Sequence, residues 1–491
     1  MTEPFSVLLA CVLLLAVAAI LLLRPPVALL LVFTLVCFFP EFSQTDWNVW
    51  TADDFRSLYN FRPIPEVPVS IFDYLFALVV AGWAARFILD KRRSLSVPCM
   101  LPLLLFLGTV VAGFAQGVVS GSEAYYIMRE LRVFTYFAIV YYMIATTCTE
   151  AFVRHWAWLT VGLAAIRGIE GVGRYLLGIG KDFFDTKLVY YDTGESFLFL
   201  ILFVLLLGWN AARYEGFRSR RTRLLVLALP CVFCFVFSFR RGIWLAAAFC
   251  LLRFILSRAS RRQQVICAVV VTFVVTIAIV VGSYDVTLPE NLDFIGERAM
   301  SITDMQDESS NVFRLLDIRN TLTAVGGSPL FGVGLGGRYR LVYASGRAVD
   351  DAFMEHVSRG SHNGILLVAL KLGVPALFLY LAFFFKFFRS MTAAGSRAFR
   401  PFSKGTLIGV DLGILAFLVA AMTGPHTDHL RATLLLAYLL GVGAILMRQI
   451  RQDVVELGKV DEPALFNRVV CSALTGKEEA RARTVVPLGT K

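Results

Sequence analysis

The chain has 491 residues, of which 57% are hydrophobic, and its mean hydropathy is +0.70. A soluble protein of this composition would expose extensive apolar surface, so the composition excludes a soluble globular protein and predicts a polytopic membrane protein. The formal net charge of +11 comes largely from arginines clustered in short loops between apolar segments. It therefore indicates membrane topology, and we expect no nucleic-acid partner.

About twenty apolar residues cross the ~30 Å hydrocarbon core of a bilayer as one helix. This rule predicts about thirteen spans, at 5–23, 25–40, 69–89, 97–119, 126–147, 153–178, 195–212, 224–239, 242–256, 264–282, 363–388, 405–423 and 430–447. Arg24-Pro25-Pro26 separates the first two spans, which could instead form one re-entrant unit and leave twelve. The first apolar run has no basic leader and no clear cleavage site, so we expect it to be retained. The predicted fold is an all-α transmembrane bundle.

The basic loops orient this bundle. They lie at 91–93, 213–223, 258–262 and 386–404, all on one side of the predicted membrane. The positive-inside rule places that side in the cytoplasm. The chain then divides into N-terminal spans (1–282), a long segment with helices on the side opposite the cytoplasm (283–361), C-terminal spans (362–447) and a cytoplasmic tail (448–491). The long segment is the piece large enough to fold over a site.

Two adjacent arginines interrupt the apolar run 224–256. One straight helix of that length would measure about 50 Å. We therefore predict two helices joined by a turn at Arg240-Arg241-Gly242, with the glycine permitting the turn. The arginines then lie opposite the basic loops, where topology does not explain them. Because guanidinium groups suit phosphate, they predict a site for a lipid-linked phosphate or diphosphate, and the alternative is snorkelling to lipid phosphates.

The long segment carries two further candidate elements. Residues 309–324 predict an amphipathic helix that bears Arg314 and could lie on the membrane face. A glycine-rich stretch, Gly332-Val-Gly-Leu-Gly-Gly337, follows it and ends next to Arg338. Its spacing is not that of a dinucleotide-binding loop. It could bring backbone N–H groups to an anion, or it could be a purely structural turn.

Ser361-His362-Asn363-Gly364 opens the span after the long segment. Ser361 is the predicted N-cap, which would place His362 in the first helical turn at the positive end of the helix dipole. A neutral imidazole at this position could act as a base, and the alternative is an ordinary interfacial histidine.

Other charged groups have weaker patterns. Two intramembrane clusters could line the path of a lipid-linked substrate or simply form ion pairs: Arg129, Glu130 and Arg132, and Arg167, Glu170 and Arg174. Two loops have a faint resemblance to metal sites: Asp350-Asp351, and the turn with His426, Asp428 and His429. We interpret these loops as polar turns and predict neither a metal nor another cofactor.

Three motifs, in this order, resemble the O-antigen ligase/polymerase family of bacterial membrane glycosyltransferases. They are Ser238-Phe-Arg-Arg-Gly-Ile-Trp-Leu245, then Asn311-Val-Phe-Arg314 with Pro329-Leu-Phe-Gly-Val-Gly334, then His362-Asn-Gly-Ile-Leu366 with Leu372-Gly373. The resemblance covers roughly 225–390, and the N-terminal half matches only as a string of spans. It implies transfer of a glycan from undecaprenyl diphosphate to an acceptor hydroxyl at the periplasmic face of the bacterial inner membrane. The acceptor is lipid A-core in a ligase and another lipid-linked glycan in a polymerase.

On this interpretation, Arg241 and Arg314 neutralise the diphosphate leaving group and His362 accepts or orients the acceptor proton. Attack from the opposite face would invert the anomeric centre. Further diphosphate or sugar contacts are predicted for Arg240, Arg338 and Asn363.

Two other classes of function stay open. A transporter of lipid-linked sugars would also use membrane arginines, although transporters often show paired repeats and broken helices. A structural partner in polysaccharide assembly would explain the spans but not the presence of Arg241, Arg314 and His362.

Overall fold

The computed structural model describes residues 22–39, 68–89, 97–177, 182–183, 186–187, 193–238, 240–257, 309–341 and 358–457. Within these ranges the protein is an all-helical, multi-pass membrane bundle with one minimal antiparallel pairing, β1 (Asp182–Phe183) with β2 (Thr186–Lys187). The helices are α1 (Pro25–Phe38), α2 (Ile71–Leu89), α3 (Met100–Val119), α4 (Ala124–Thr147), α5 (Glu150–Leu176), α6 (Thr193–Ala211), α7 (Glu215–Arg218), α8 (Arg221–Phe237), α9 (Arg241–Ser257), α10 (Ser309–Gly327), α11 (Gly364–Leu372), α12 (Val374–Gly395), α13 (Pro401–Thr423) and α14 (Leu430–Leu457).

Most of the predicted membrane spans that fall within the described residues are helices. Among the described residues, six helices are long and apolar enough to cross a bilayer, namely α2, α3, α6, α12, α13 and α14. Five further predicted spans, 25–40, 126–147, 153–178, 224–239 and 242–256, are also helical, and they correspond to α1, α4, α5, α8 and α9. The predicted span 264–282 lies outside the described residues, as does 5–23 up to position 21. The same holds for most of segment 283–361 and for the tail after 457.

The predicted division of the apolar run 224–256 into two helices is confirmed, but the predicted position of the turn is wrong. Helix α8 ends at Phe237 and α9 already begins at Arg241. Gly242 is thus helical, and it does not have a positive φ. The absence of its side chain serves helix packing instead, because a Cβ there would lie 2.2 Å from Thr423 Oγ1.

The predicted single span 363–388 is wrong, because it is two helices. Helix α11 ends at Leu372, and Gly373 follows with a φ of +88°, a conformation that favours glycine. Pro375 then lies in the first turn of α12, where its missing N–H costs nothing. The break packs against protein, since the Val374 N–H donates to the Pro329 carbonyl at 2.8 Å.

Small residues let the central helices approach closely, as is usual in membranes. Helix α13 packs against α6 and α9, and α14 packs against α4. At the α6–α13 contact, a Cβ on Gly208 would lie 2.1 Å from the Gly405 carbonyl oxygen. Between α5 and α8, the thiols of Cys231 and Cys234 donate to the carbonyls of Ala164 and Gly168. This CxxC pair is therefore part of the helix packing.

Candidate active site

Helix α10 turns its polar side inward. Asp317, Asn320 and Thr321 are buried, whereas Leu315 and Leu322 are exposed. The sequence correctly predicts a two-faced helix, but it does not predict that the buried face is the polar one. Buried polar groups require hydrogen-bond partners. This face finds them in the segment that leads into α11.

His362 and Asp317 are adjacent. The backbone N–H of His362 donates to Asp317 Oδ2 at 2.8 Å, and its ring Nδ1 lies 3.7 Å from the same oxygen. The carboxylate is 1% exposed and the imidazole 38% exposed. One side of the histidine therefore faces a buried anion while the ring stays accessible.

A short polar chain surrounds this contact. The Ser361 hydroxyl donates to Asp317 Oδ2 at 3.2 Å and accepts from the Thr321 hydroxyl at 3.2 Å. The Tyr339 hydroxyl donates to the Gly360 carbonyl at 3.0 Å. Burial raises the pKa of the Tyr339 phenol, and the nearby Asp317 carboxylate raises it further. Tyr339 is therefore a neutral hydrogen-bond donor at physiological pH.

Asn363, and not Ser361, caps α11. Its side-chain oxygen accepts from the N–H groups of Ile365 at 3.1 Å and Leu366 at 3.0 Å. The predicted cap at Ser361 is wrong because that hydroxyl is committed to Asp317. His362 consequently precedes the cap and does not lie in the first helical turn. Asn363 is positioned by the helix end, and its predicted contact with substrate stays a prediction.

The start of α9 reaches the same end of α11. Gly242 abuts Thr423 at the end of α13, and the next residue, Gly424, accepts from the Gly364 N–H at 3.2 Å. Thr427 also donates its hydroxyl to the Gly364 carbonyl. Two glycines thus bring the backbone of the arginine pair close to that of His362.

The predicted arginines differ in their surroundings. Arg240 is half-buried and accepts at its carbonyl from Ile243 N–H, while Arg241 begins α9 with a side chain that lies outside the described part. Arg314 is half-buried and lies one turn before Asp317 on α10, so the two share a face. Arg338 is exposed and pairs with Glu123 at 2.9 Å.

Residues 224–381 match a family model described as O-antigen ligase. This stretch is a domain of the O-antigen ligase/polymerase family. The family comprises membrane glycosyltransferases that use lipid-linked glycans, and the matched stretch runs from α8 into α12 and contains Arg240, Arg241, Arg314 and His362. A search of curated proteins found no match to this chain.

The glycine-rich loop of the O-antigen ligase domain uses its amides internally. Hydrogen bonds from its N–H groups to other elements occupy Val333 (to Leu370 O, 2.8 Å), Gly334 (to Lys371 O, 3.2 Å), Leu335 (to Gly113 O, 2.9 Å) and Gly336 (to Glu130 Oε2, 2.8 Å). Gly332, Gly334 and Gly336 all have positive φ. These contacts support the structural-turn interpretation over anion binding.

The remaining charged clusters form ion pairs outside this site. In the first, Glu130 pairs with Lys371, Arg129 with Asp428, and Arg132 with Asp73. In the second, Arg167 pairs with both Glu170 and Glu195, and Glu170 also pairs with Arg174 as its spacing predicts. No group of three potential metal ligands occurs among the described residues. Asp350 and Asp351 lie outside them.

Two contributors to the geometry of the O-antigen ligase domain were not singled out from sequence. Asp317 was one polar residue of an amphipathic pattern, and its spacing of three from Arg314 was the available signal. Arg253 of α9 forms a double hydrogen bond with Asp411 of α13, both at 3.0 Å. Two isolated opposite charges in separate apolar spans were the signal for that pair.

Proposed function

We propose that this protein is an O-antigen ligase-type glycosyltransferase that moves a glycan from undecaprenyl diphosphate to a sugar hydroxyl of lipid A-core. The reaction would take place at the periplasmic face of the bacterial inner membrane. The observation that carries the proposal is the convergence on one end of α11. An accessible histidine there contacts a buried carboxylate, Arg314 lies one turn away from that carboxylate on α10, and the backbone of Arg240 and Arg241 approaches from α9.

The proposed chemistry is a single displacement at the anomeric carbon. The acceptor oxygen attacks from the face opposite the diphosphate, the bond to the diphosphate oxygen breaks, and the configuration inverts. His362 takes the proton that the acceptor hydroxyl loses. Negative charge accumulates on the departing diphosphate, and Arg241 and Arg314 stabilise it there more strongly than in the bound substrate.

Three further residues are proposed to contact the substrate. Arg240, Arg338 and Asn363 would bind the diphosphate or its first sugar. Guanidinium groups supply the positive charge that the leaving group needs, so the reaction is proposed to require no metal ion and no cofactor. The membrane lipids supply the environment in which donor and acceptor meet.

The decisive experiment is glycan transfer by purified protein in lipid. The protein would receive undecaprenyl-diphosphate-linked glycan, with lipid A-core or with further donor as acceptor, in the presence of EDTA. We expect a metal-independent product on lipid A-core. Loss of about 100-fold or more in kcat is expected for His362→Ala, and similar losses for Arg241→Ala and Arg314→Ala. Arg389→Ala, which changes an exposed arginine in the last two turns of α12, on the predicted cytoplasmic side, is the matched control.

The outcomes separate the alternatives. Elongation of donor alone would make the protein a polymerase that uses the same site. Movement of lipid-linked glycan across vesicle membranes without a new glycosidic bond would indicate a transporter and not an enzyme. Full transfer activity after substitution of His362, Arg241 and Arg314 together would show that the proposed site is wrong.

A further inference from the structure

We propose that Asp317 is the positioning residue of His362, holding the imidazole with Nδ1–H toward the carboxylate and Nε2 toward the acceptor hydroxyl. This inference rests on the proposed function of His362 as a base, and it assigns a role to a residue outside the three family-like motifs. A histidine with both nitrogens accessible can present either one. A fixed anion beside Nδ1 selects one tautomer and one orientation.

The contacts of Asp317 favour this role over a purely structural one. Its Oδ2 accepts from the His362 N–H at 2.8 Å and faces the ring Nδ1 at 3.7 Å. The second separation is long for a hydrogen bond, but catalytic hydrogen bonds often tighten only when substrate binds. The backbone contact fixes the carboxylate close enough for the ring to reach it by a small rotation.

The other carboxylate oxygen gives an independent observation. Asp317 Oδ1 is buried and has no hydrogen-bond partner among the described residues. Leaving a buried carboxylate oxygen unsatisfied is costly, so an aspartate serving stability alone would be poorly placed here. The carboxylate therefore keeps an accepting oxygen that the described fold does not use, as expected of a group placed to act on its neighbour His362 and not for stability alone.

A buried hydroxyl chain holds the carboxylate still. Thr321 lies four residues after Asp317 on α10 and donates its hydroxyl to Ser361, which donates to Asp317 Oδ2. Both hydroxyl residues are buried. Because Ser361 directly precedes His362, the same chain fixes the backbone and the anion relative to each other.

Other titratable groups lie on the surrounding elements, and the test must leave them unchanged. They are Arg240 and Arg241 at the start of α9, Arg314 and Arg319 on α10, Arg338, Tyr339 and Arg340 in the loop after it, Arg359 before His362, Lys371 on α11, and His426, Asp428 and His429 in the turn beside Gly364. Asp317→Asn keeps the shape of the side chain and alters none of these groups.

The sign of the expected effect follows from charge. The carboxylate stabilises the imidazolium that forms when His362 takes the proton, so its removal should lower kcat by about 100-fold. KM should change little, since Asp317 is buried behind the histidine.

The test compares Asp317→Asn, Asp317→Glu and Ser361→Ala in kcat and KM. We expect Asp317→Glu to recover part of the rate and Ser361→Ala to lower kcat less than Asp317→Asn does. An unchanged kcat in Asp317→Asn, or a loss confined to KM, would overturn the proposal.

A second measurement does not need turnover. Nitrogen-15 NMR of histidine-labelled protein in lipid nanodiscs reports the tautomer, with the His362 signal assigned from its absence in His362→Gln. We expect Nδ1–H in the wild type and a mixture in Asp317→Asn. A wild type dominated by Nε2–H would overturn the inference even if Asp317→Asn did not fold. Absence of glycan transfer with an Nδ1–H wild type would instead overturn the proposed function.

Discussion

Lys371 is fully buried in α11 and has a specific partner for its charge. Its Nζ contacts Glu130 Oε1 at 2.8 Å and the Gly337 carbonyl at 2.9 Å. The other oxygen of Glu130 accepts from the Gly336 N–H at 2.8 Å. One ion pair thus holds α4, α11 and the glycine-rich loop together. Each charge depends on the other, because a lone buried charge costs several kcal/mol.

Removal of one charged partner should therefore destabilise the protein more than removal of both. We expect Lys371→Met to lower the free energy of unfolding by about 3–5 kcal/mol, since it leaves the Glu130 carboxylate buried and unpaired. Lys371→Met with Glu130→Gln should recover a substantial part of that loss. Denaturation of the purified protein in detergent measures both values. A double variant less stable than the single one would contradict this account.

Asn363 allows capping and substrate binding to be separated. Asn363→Ala should cost about 1 kcal/mol of stability because α11 loses its cap, whereas Asn363→Asp keeps the capping oxygen and should cost little. Aspartate has no amide N–H to donate to a sugar or diphosphate. If Asn363 makes the predicted contact, Asn363→Asp should therefore raise the KM for the lipid-linked glycan. Thermal unfolding and donor KM are the two measurements. An unchanged KM would show that Asn363 caps α11 and does not bind the substrate.

At the residue scale, sequence patterns predict His362 and Arg314 as candidate site residues, but they do not predict the contact between His362 and Asp317. The reason is physical, since an amphipathic pattern specifies that a helix has two faces without specifying which face is buried. In water the polar face is exposed, whereas beside a polar site in a membrane it can be the buried one. The predicted cap at Ser361 is wrong for a similar reason, because a hydroxyl suits either a helix end or a distant carboxylate.

At the scale of elements, the register between α9 and α13 sets the position of the arginine pair. Arg253 clamps Asp411 with two hydrogen bonds, and the Cys250 thiol donates to the Leu412 carbonyl at 3.1 Å. Arg253 is twelve residues beyond Arg241, or about 18 Å along the helix. A contact deep in the bundle therefore fixes how far α9 extends toward Thr423.

The close approach of Gly242 to Thr423 makes this register testable. Gly242→Ala places a methyl group 2.2 Å from Thr423 Oγ1, so α9 must shift or the Thr423 hydroxyl must leave its hydrogen bond with the Ala420 carbonyl. Small displacements of binding groups are expensive, and we expect kcat/KM for glycan transfer to fall about 10- to 100-fold. Gly242→Ala with Thr423→Ala removes the clashing hydroxyl and should restore most of the activity. Equal activity in the single and double variants would disprove steric control by this contact.

Sequence patterns locate most elements of the bundle but not the division between α11 and α12. Hydropathy is continuous through this region, so a sliding window sees one span. The local signal is Gly373-Val-Pro375, in which the glycine leaves helical conformation and the proline restarts it. The break also needs a partner, and the Pro329 carbonyl that receives the Val374 N–H is distant in sequence.

At the scale of the whole molecule, Glu123 connects distant parts of the chain. It lies before α4 and accepts from Arg338 and from Arg359, which precedes His362. Arg359 is buried, donates to the Gly336 carbonyl and lies 3.7 Å above the Tyr126 ring. The hydrogen bond from Arg359, followed by that from Arg338, lowers the pKa of the Glu123 carboxyl below its ordinary value of 4.5.

This lowered pKa predicts an acid-sensitive contact. The stabilisation is complete above the ordinary carboxyl pKa and is lost as the pH falls through the lower folded-state value. Glu123→Gln removes the charge at every pH, so its thermal unfolding temperature should fall less than that of the wild type as the pH is lowered from about 7 to well below the ordinary carboxyl pKa, to about 3. Glu215→Gln, at an exposed site on α7, is the matched control. An identical pH dependence in Glu123→Gln and wild type would refute the assignment.

The inward polar face of α10 has a consequence for cooperativity. A helix that buries Asp317, Asn320 and Thr321 while it exposes Leu315 and Leu322 is not stabilised by the burial of an apolar face alone. Its hydrogen bonds run to Ser361 and His362, which come later in the chain than α10 itself. The helix, the Tyr339 loop and the start of α11 therefore form one cooperative unit, whose amides should exchange with solvent together. During synthesis, this arrangement of Asp317 and His362 can form only after the ribosome has made α11.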